Sequence, residues 1–559
     1  MILILDFYVD EPACFGVPPY LSPYCRYVAG ALVSEGIQED KIDYLTVDQW
    51  RAQNKILTKE YEVVFLIAGT TVPGKYLGGK IGTVKEILEF LDIQKKHDPK
   101  SKVIIGGPIR FANPEIQKNI IEKGGILILG DIEKYAELYA KSRNQNKTLL
   151  QDKYPFFTLQ RNFSDVDRYA KHGAFLTTKH PNYPYLMIEL ETYRGCTRER
   201  FCSFCTEAFY GKPQFRSVEG ILEEVGALYH FGNRYFRLGR QADIYTYLPD
   251  QKEFKNTFPR PNPESIRKLY EGIRRQAPDL KVLHLDNVNP GLLSTFPEES
   301  REISKIITTY NTPGDTAAMG IESIDPVVIQ QNDLKCNEEE AIKAIEIINE
   351  YGAQRKDGLP ILLPGLNFIH GLMGETEKTF ELNYRFLLKI KERGLLLRRI
   401  NIRQVMIYRK TKLYRYYKNN QSYKKIEKLH NRFLFYRDKI RKEIDHYFLK
   451  QNFPKNTILR EVILEYENAG YYFGRQLGSY PITVKIPKDD QKAKKAFESK
   501  TPIDVVITGW EERSIHGLTH PIEIQYLGWK AIQTIPNISK RGAYELFLKS
   551  KEFKKNPVL

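Results

Sequence analysis

Twice along this chain, short apolar runs alternate with segments long enough to be helices, and that alternation restricts the fold to parallel sheets covered by helices. Parallel strands cannot be joined by a tight turn; each pair needs a crossover, usually a helix that buries the sheet beneath it. The first series occupies residues 1 to about 150 and reads MILILDF, YEVVFLIAGTT, KVIIGGP and GILILGD. The second runs from Tyr185 to about Lys412, with strands YLMIELE, YFRLG, VLHLD, AAMGIE, LNFIHGL and INIRQVMIY. Segments such as NEEEAIKAIEIINEYG and TEKTFELNYRFLLKIKERG separate them. Six such units suit a partial or complete βα barrel better than a flat dinucleotide fold, and barrels of this kind place chemistry at the C-terminal ends of their strands. The predicted class is α/β.

A chain of 559 residues has the length of about three or four domains. With 42% apolar against 28% charged residues, its composition is that of a globular protein. No stretch reaches the roughly 18 to 20 apolar residues of a membrane span, and the opening MILILDFYVDEP has no basic region ahead of its apolar run. A cytoplasmic protein with no membrane partner is expected. The formal charge of +16 suits an anionic partner such as RNA, and suits a lysine-rich coding bias equally.

Six cysteines are too few for a disulfide framework, and three of them, Cys196, Cys202 and Cys205, fall within ten positions. In a reducing compartment such crowding points to metal. The segment ETYRGCTRERFCSFCTEAFYG follows a predicted strand and spaces them as C-x5-C-x2-C, with Phe204 before the last. Three thiolates on a cubane cluster leave one iron without a protein ligand. A zinc site completed by Cys336 or a histidine is the competing reading, although no second C-x2-C exists.

The C-S-F-C ending resembles the cluster motif of the radical S-adenosylmethionine superfamily over residues 185 to 412, with two more residues in the first gap than the usual C-x3-C-x2-C. The resemblance implies a [4Fe-4S] cluster on the three cysteines, S-adenosylmethionine chelating the open iron, and a reductant such as ferredoxin or flavodoxin. Reductive cleavage would then release methionine and a 5′-deoxyadenosyl radical that abstracts hydrogen from substrate. Gly239-Arg240-Gln241 resembles the superfamily's G-G-E turn, with Gln241 offering a neutral amide in place of a carboxylate. Glu322 and Ser323 end a strand where relatives use polar groups on the ribose hydroxyls, and GLMGET resembles the G-L-P-G-E-T turn, with Gly371 letting backbone approach adenine and Glu375 and Thr376 opening a helix. His284, Asp286, Asn287 and Asn289 are further candidates of which alternation admits one parity. Arg403 and Gln404 join them on the last strand.

The Gly106-Gly107-Pro108 turn resembles the cobalamin-binding-like, Rossmann-like domains that precede many radical enzymes. Those that ligate cobalamin through histidine carry D-x-H-x-x-G, whereas His97, the only histidine there, lies in KKHDPK. Cobalamin is therefore not expected.

Residues 411 to 450 carry a net charge of +8 interleaved with Tyr and Phe, which reads as a basic helix facing an anion or as a solvated helix packed on the barrel. Residues 457 to 520 read as short strands and 526 to 550 as two small helices, while the lysine-rich KIPKDDQKAKKAFESK reads as a loop. Gly474-Arg475, Ser479-Tyr480-Pro481 and the strand ending in Arg513, Ser514 and Gly517 resemble the TRAM module, a small β-barrel of RNA-modifying enzymes. Pro536, Ile538 and Ala543 resemble a helix-hairpin-helix whose hairpin glycines are replaced by Asn537 and Ser539. The expected organisation is an α/β domain over 1–150, a radical barrel over 185–412, a basic helical segment over 413–456, a TRAM-like barrel over 457–522 and a hairpin-like module over 523–559. It resembles an archaeal group of radical enzymes. Modification of a tRNA base is the leading expectation, with RNA held through residues 411–559. The rivals are a small-molecule radical enzyme and a non-catalytic zinc protein that binds nucleic acid. The spare cysteines Cys14, Cys25 and Cys336 are too scattered to suggest sulfur insertion.

Overall fold

The computed structural model describes residues 1–11, 14–69, 78–145, 158–420 and 423–555. It is a mixed α/β protein with parallel sheets, in two compact units. The first comprises Met1–Thr197, Thr206–Pro249 and Glu264–Asp286; the second comprises Arg198–Cys205, Asp250–Pro263 and Asn287–Leu559.

The first unit contains β1 (Ile2–Asp6), β2 (Tyr20–Leu21), β3 (Ile42–Thr46), β4 (Val63–Ile67), β5 (Lys102–Gly106), β6 (Ile126–Leu127), β7 (Met187–Glu191), β8 (Tyr235–Gly239) and β9 (Val282–Leu285). One parallel sheet has the order β3-β1-β4-β5-β6. Every residue of β1 and β4 is buried, the condition of strands covered on both faces. Leu3, Leu5, Trp50, Leu66, Phe90 and Ile105 share its core. Helix α1 (Val84–His97) between β4 and β5 starts with a Thr83–Glu86 capping box and ends on Lys95, Lys96 and His97, matching charge to both ends of its dipole.

The second parallel sheet has the order β9-β8-β7-β2. Apolar Ile188, Leu190, Phe236, Leu238, Leu283 and Leu285 alternate there with buried Glu189, Arg237 and His284. Because Arg237 pairs in register with both Glu189 and His284, these three polar residues share one face.

In the second unit, β10 (Asn287–Val288), β11 (Asp315–Glu322), β12 (Leu362–His370) and β13 (Arg399–Gln404) form a parallel sheet in that order. Helices α2 (Glu338–Gly352) and α3 (Glu377–Glu392) make its crossovers. Phe386 and Phe380 of α3 pack on Phe368 and His370 of β12, the His370 ring stacking on Phe380 at 4.2 Å. The basic segment forms α4 (Tyr423–Ile440), a π-helical turn at Arg441–Asp445 and a last helix His446–Asn452.

Beyond it, β14 (Ile458–Asn468), β15 (Tyr471–Gln476), β16 (Thr483–Pro487), β17 (Ile503–Trp510) and β18 (Ser514–Thr519) close into a barrel. Leu459, Val462, Val484, Ile486, Val505, Ile507 and Ile515 fill it. The lysine-rich run expected as a loop is instead helical over α5 (Gln491–Ser499). Asp490 accepts from the N–H groups of Lys492 and Ala493, and Ala493 and Ala496 bury one stripe; a good cap and a narrow apolar face outweigh the lysine repulsion. Trp529–Ile532 and α6 (Lys540–Lys555) follow, with Ile532 and Ala543 in one cluster with Leu518 and Leu527. Among the described residues, no helix is long and apolar enough to cross a membrane.

Candidate active site

Cys196, Gly239 and Gln241 belong to the first unit; Cys202, Phe204, Cys205, Glu322, Ser323 and Gly371 belong to the second. In the first unit, Gly239 ends β8 where a Cβ would stand 1.7 Å from Glu189 Oε1. Its lack of a side chain makes room for that carboxylate. Gln241 is buried, its amide N–H donating to Leu238 O at 2.9 Å and its oxygen accepting from Thr192 Oγ1 at 3.3 Å. Arg240 between them has φ of +54° and is buried, donating to Glu207 at 3.2 Å and lying 4.3 Å over the Tyr210 ring.

The parity left open in VLHLDNVNPG is resolved by register: His284 shares the face of Glu189 and Arg237, and Asp286 forms an ion pair with Arg237. Asn289 instead caps the helix Pro290–Thr295, accepting from Gly291 N–H at 3.1 Å. Burial pushes Glu189 up to about 8, with Arg237 opposing. At the end of β7, Arg161 donates to both oxygens of Glu191 at 2.7 Å, and Arg194 donates to Oε1 at 2.7 Å. Burial alone would raise Glu191; Arg161, Arg194 and Arg240 outweigh it and hold the carboxyl far below its usual range. The sequence singles out neither Glu189 nor Arg237, although a charged residue at every second position of an otherwise apolar strand marks a polar face.

In the second unit, the turn Asn332–Lys335 gathers the candidates. Ser203 Oγ donates to Asn332 Oδ1 at 2.7 Å, and Ser203 N–H donates to Asn332 O at 3.0 Å. The Asn332 amide in turn donates to Met373 O at 2.9 Å and accepts from Met373 N–H at 3.2 Å. One asparagine thus joins the cysteine turn to the loop after β12. Phe204 packs against a cluster of Val328, Leu334, Leu372, Met373, Leu413 and Tyr417. Arg198 donates to Cys202 Sγ at 3.2 Å and to Asp333 O at 3.0 Å. Half-buried Lys335 resists the lowering effect of burial because Glu322, then the Cys202 and Cys205 sulfurs, hold its charge.

Two cations, Arg198 and Lys335, thus stand near the sulfurs of Cys202 and Cys205. Cys336 is buried, and burial pushes its thiol well up. Among the described residues, no three Cys, His, Asp or Glu side chains stand close enough together to hold a metal ion. The donor chemistry of Cys202 and Cys205 nevertheless suits a thiolate-ligated cluster.

Glu322 ends β11 with φ of +64°, a left-handed conformation costly for a side-chain-bearing residue and often found at binding sites. It is buried, its Oε2 has no hydrogen-bond partner, and burial raises it to about 7 against the pull of Lys335 and Arg403. A Cβ on Gly320 would stand 2.3 Å from Glu322 Oε1 and 2.5 Å from Lys335 Nζ, so only glycine leaves room for both. Ser323 Oγ is engaged locally, accepting from Asp325 N–H at 3.2 Å. Gly371 has φ of +94°; its N–H donates to Glu375 Oε1 at 3.0 Å, its carbonyl accepts from Tyr417 at 2.7 Å, and Glu375 Oε2 pairs with His370 at 2.9 Å. Thr376 caps α3. Arg403 and Gln404 are exposed at the end of β13.

No family model matches the chain. It is 40% identical over 523 residues to the uncharacterized protein MJ0274 of Methanocaldococcus jannaschii, a match covering 92% of each chain. The chain belongs to this archaeal family. An uncharacterized protein of Archaeoglobus fulgidus is likewise 40% identical, over 484 residues, covering 86% of this chain and 84% of that one. Over 191 residues, the chain is 26% identical to the tRNA-2-methylthio-N(6)-dimethylallyladenosine synthase of Anaplasma phagocytophilum, covering 34% of this chain and 37% of that one.

The solved structures it is similar to include radical S-adenosylmethionine enzymes. TsrM from Kitasatospora setae, with cobalamin and [4Fe-4S] cluster bound, has a TM-score of 0.49 at 13% identity, covering 74% of this chain and 73% of that one. OxsB with aqua-cobalamin bound has a TM-score of 0.49 at 15% identity, covering 76% of this chain and 56% of that one. The expectation against cobalamin is corrected by these two structures, both of which hold it. Lack of a histidine in a D-x-H-x-x-G loop excludes one axial ligand; it does not exclude a corrinoid held by other groups.

Proposed function

We propose that this family acts as radical S-adenosylmethionine enzymes that modify a base of RNA, with tRNA the leading substrate. The single observation that carries the radical reading is the C-x5-C-x2-C loop after a parallel strand, whose Cys202 sulfur accepts a hydrogen bond from Arg198. Cys196, Cys202 and Cys205 are the ligands assigned to the cluster. When bound, a [4Fe-4S] cluster with one open iron supplies the electron that cleaves S-adenosylmethionine to methionine and a 5′-deoxyadenosyl radical. Arg198 donates to the Cys202 sulfur, and Lys335 lies near the Cys202 and Cys205 sulfurs. Phe204 anchors their turn in an apolar cluster. Glu322 offers an unpartnered oxygen to the ribose hydroxyls, with Ser323 and Gly371 in the same unit; Gly239 and Gln241 are assigned to the cofactor by the sequence resemblance.

RNA as substrate is supported by the +8 segment 411–450 and by the closed barrel that follows it, a form that binds nucleic acid when its face is basic and aromatic. In this reading, the radical barrel spans 185–412, and the TRAM-like barrel and hairpin-like module, 457–522 and 523–559, grip the substrate. Sulfur insertion is not included, because Cys25 and Cys336 are buried in different units.

Anaerobic purification followed by iron analysis and an assay of S-adenosylmethionine cleavage tests the radical reading. About four irons per chain and dithionite-dependent 5′-deoxyadenosine support it; stoichiometric zinc with no iron after reconstitution defeats it. Because TsrM and OxsB hold cobalamin, the absorbance of the same preparation is also read for a corrinoid. RNA crosslinked in cells and sequenced then separates RNA modification from small-molecule chemistry.

A further inference from the structure

Strand β13 carries three consecutive odd-numbered polar residues, Arg399, Asn401 and Arg403. They pair in register with Gly365, Asn367 and Ile369 of β12, while the intervening Phe368 and His370 pack on α3. Arg399 and Arg403 therefore stand on the sheet face turned away from α3. Among the described residues, neither forms an ion pair with a carboxylate.

The loop after β15 reaches this face. The Arg399 guanidinium lies 3.6 Å over the ring of Tyr480, and Arg398 donates to Tyr480 O at 3.3 Å. Tyr480 is held at φ of +52°, a strained position for a bulky residue that persists only where its surroundings enforce it. Arg513, just before β18, comes to the same end of the barrel, because β16 and β18 pair parallel from Thr483 and Ser514, and it lies 3.4 Å from Asp445. Asp445 is buried and already accepts from Ile400 N–H at 3.1 Å. Asp438 stands 3.7 Å from Arg441, Glu512 acts on Arg441, and two further buried acids act on the strand's arginines, Asp315 on Arg398 and Glu322 on Arg403. Arg398, Arg399, Arg441 and Arg513 thus act on buried Asp445, and Arg403 adds a further positive charge beside Arg399. Burial, with the repulsion of Arg403 and Arg513, pulls Arg399 down to about 10 against the opposing pull of Tyr480 and Asp445.

A planar guanidinium fork matches the oxygens of a phosphate, and arginine sheds water more readily than lysine to bind them. An anion here would restore the missing negative charge, with the Tyr480 ring fixing the angle of Arg399. The +8 segment arrives at the same place through Arg441, which gives an elongated polyanion somewhere to continue. We propose that Arg399, Arg403 and Arg513 form a clamp for the phosphodiester backbone of the RNA that carries the reacting base. This rests on the RNA reading above.

Binding of the full-length protein to bulk tRNA, followed by fluorescence anisotropy across a salt series, tests the clamp. The double variant R403Q/R513Q should bind at least about tenfold more weakly at low salt, and its log-log salt slope should fall by about 2, one for each phosphate that is no longer neutralised. R267Q/K268Q, which removes the same charge from the exposed helix Pro263–Gln276, should bind within about twofold of wild type. R403K/R513K should recover most of the slope by restoring charge. R403Q alone guards against loss of fold through Asp445, and its slope should fall by about 1. Wild-type affinity and slope in a folded R403Q/R513Q would overturn the clamp. If wild-type protein fails to bind tRNA, the RNA reading fails by itself, and inorganic pyrophosphate becomes the probe. Weaker pyrophosphate binding by R403Q/R513Q would then keep the site for a small phosphorylated ligand, and equal binding would remove it.

Discussion

Two four-stranded parallel sheets in this protein are built on the same alternation and differ in what their polar residues touch. In the first unit, Glu191 takes Arg161 and Arg194, Glu189 takes Arg237 through Oε2 while its Oε1 has no hydrogen bond, and Arg237 also takes Asp286. In the second, Glu322 keeps an oxygen without a hydrogen bond, and Arg399 and Arg403 form no ion pair with a carboxylate among the described residues. A buried ion pair that is well satisfied holds its own strand ends in place and has little left for a ligand. A buried carboxyl in a strained backbone, or arginines without counter-charge, store unfavourable energy that a ligand can relieve. Each sheet thus keeps one buried carboxylate oxygen without a hydrogen bond, and the difference lies in the arginines: those of the first sheet are ion-paired, whereas Arg399 and Arg403 of the second form no ion pair among the described residues.

The largest expected effect tests the cysteines themselves. Cys202→Ser should abolish iron retention and bring 5′-deoxyadenosine formation to background, read by iron analysis and chromatography of the anaerobic protein. Next is the closed network. Arg161→Ala takes Glu133's nearest partner and one of the two arginines on Glu191, and loss of one partner of a buried pair should lower unfolding free energy by about 3–5 kcal/mol in denaturant titration. Intact stability with lost turnover would place function in the first sheet and undo the contrast.

A smaller effect should follow Glu322→Gln: about a tenfold rise in KM for S-adenosylmethionine, roughly one charged hydrogen bond, with little change in melting temperature. The finest test is the pH profile of that affinity. A carboxyl with a pKa of about 7 is mainly protonated at pH 6 and mainly ionised at pH 8, and only the ionised form accepts from both ribose hydroxyls. Affinity should therefore rise severalfold from pH 6 to 8 in wild type and stay flat in E322Q, by calorimetry with reconstituted protein. A flat wild-type profile would detach Glu322 from the cofactor.

Local pattern carried much of the fold into view. MILILDF, YFRLG and AAMGIE announce themselves as buried parallel strands because both faces are covered and nearly every side chain must be apolar. The lysine-rich run before residue 500 misled because composition weighs every residue alike, whereas the helix depends on Asp490 as cap and two alanines on one side. At the site, the C-x5-C-x2-C spacing is readable because one short loop contains it. Glu189, Arg237, Asn332 and Lys335 are not, since their partners lie on distant segments, such as Met373 for Asn332.

The sequence by itself determined the α/β class, the candidate cluster loop and the basic segment, all properties of neighbours along the chain, where spacing and period act directly. Only the tertiary structure decided which polar strand residues neutralise one another and which are left wanting. Register and crossover path set those meetings, and a shift of one residue would turn each side chain to the opposite face.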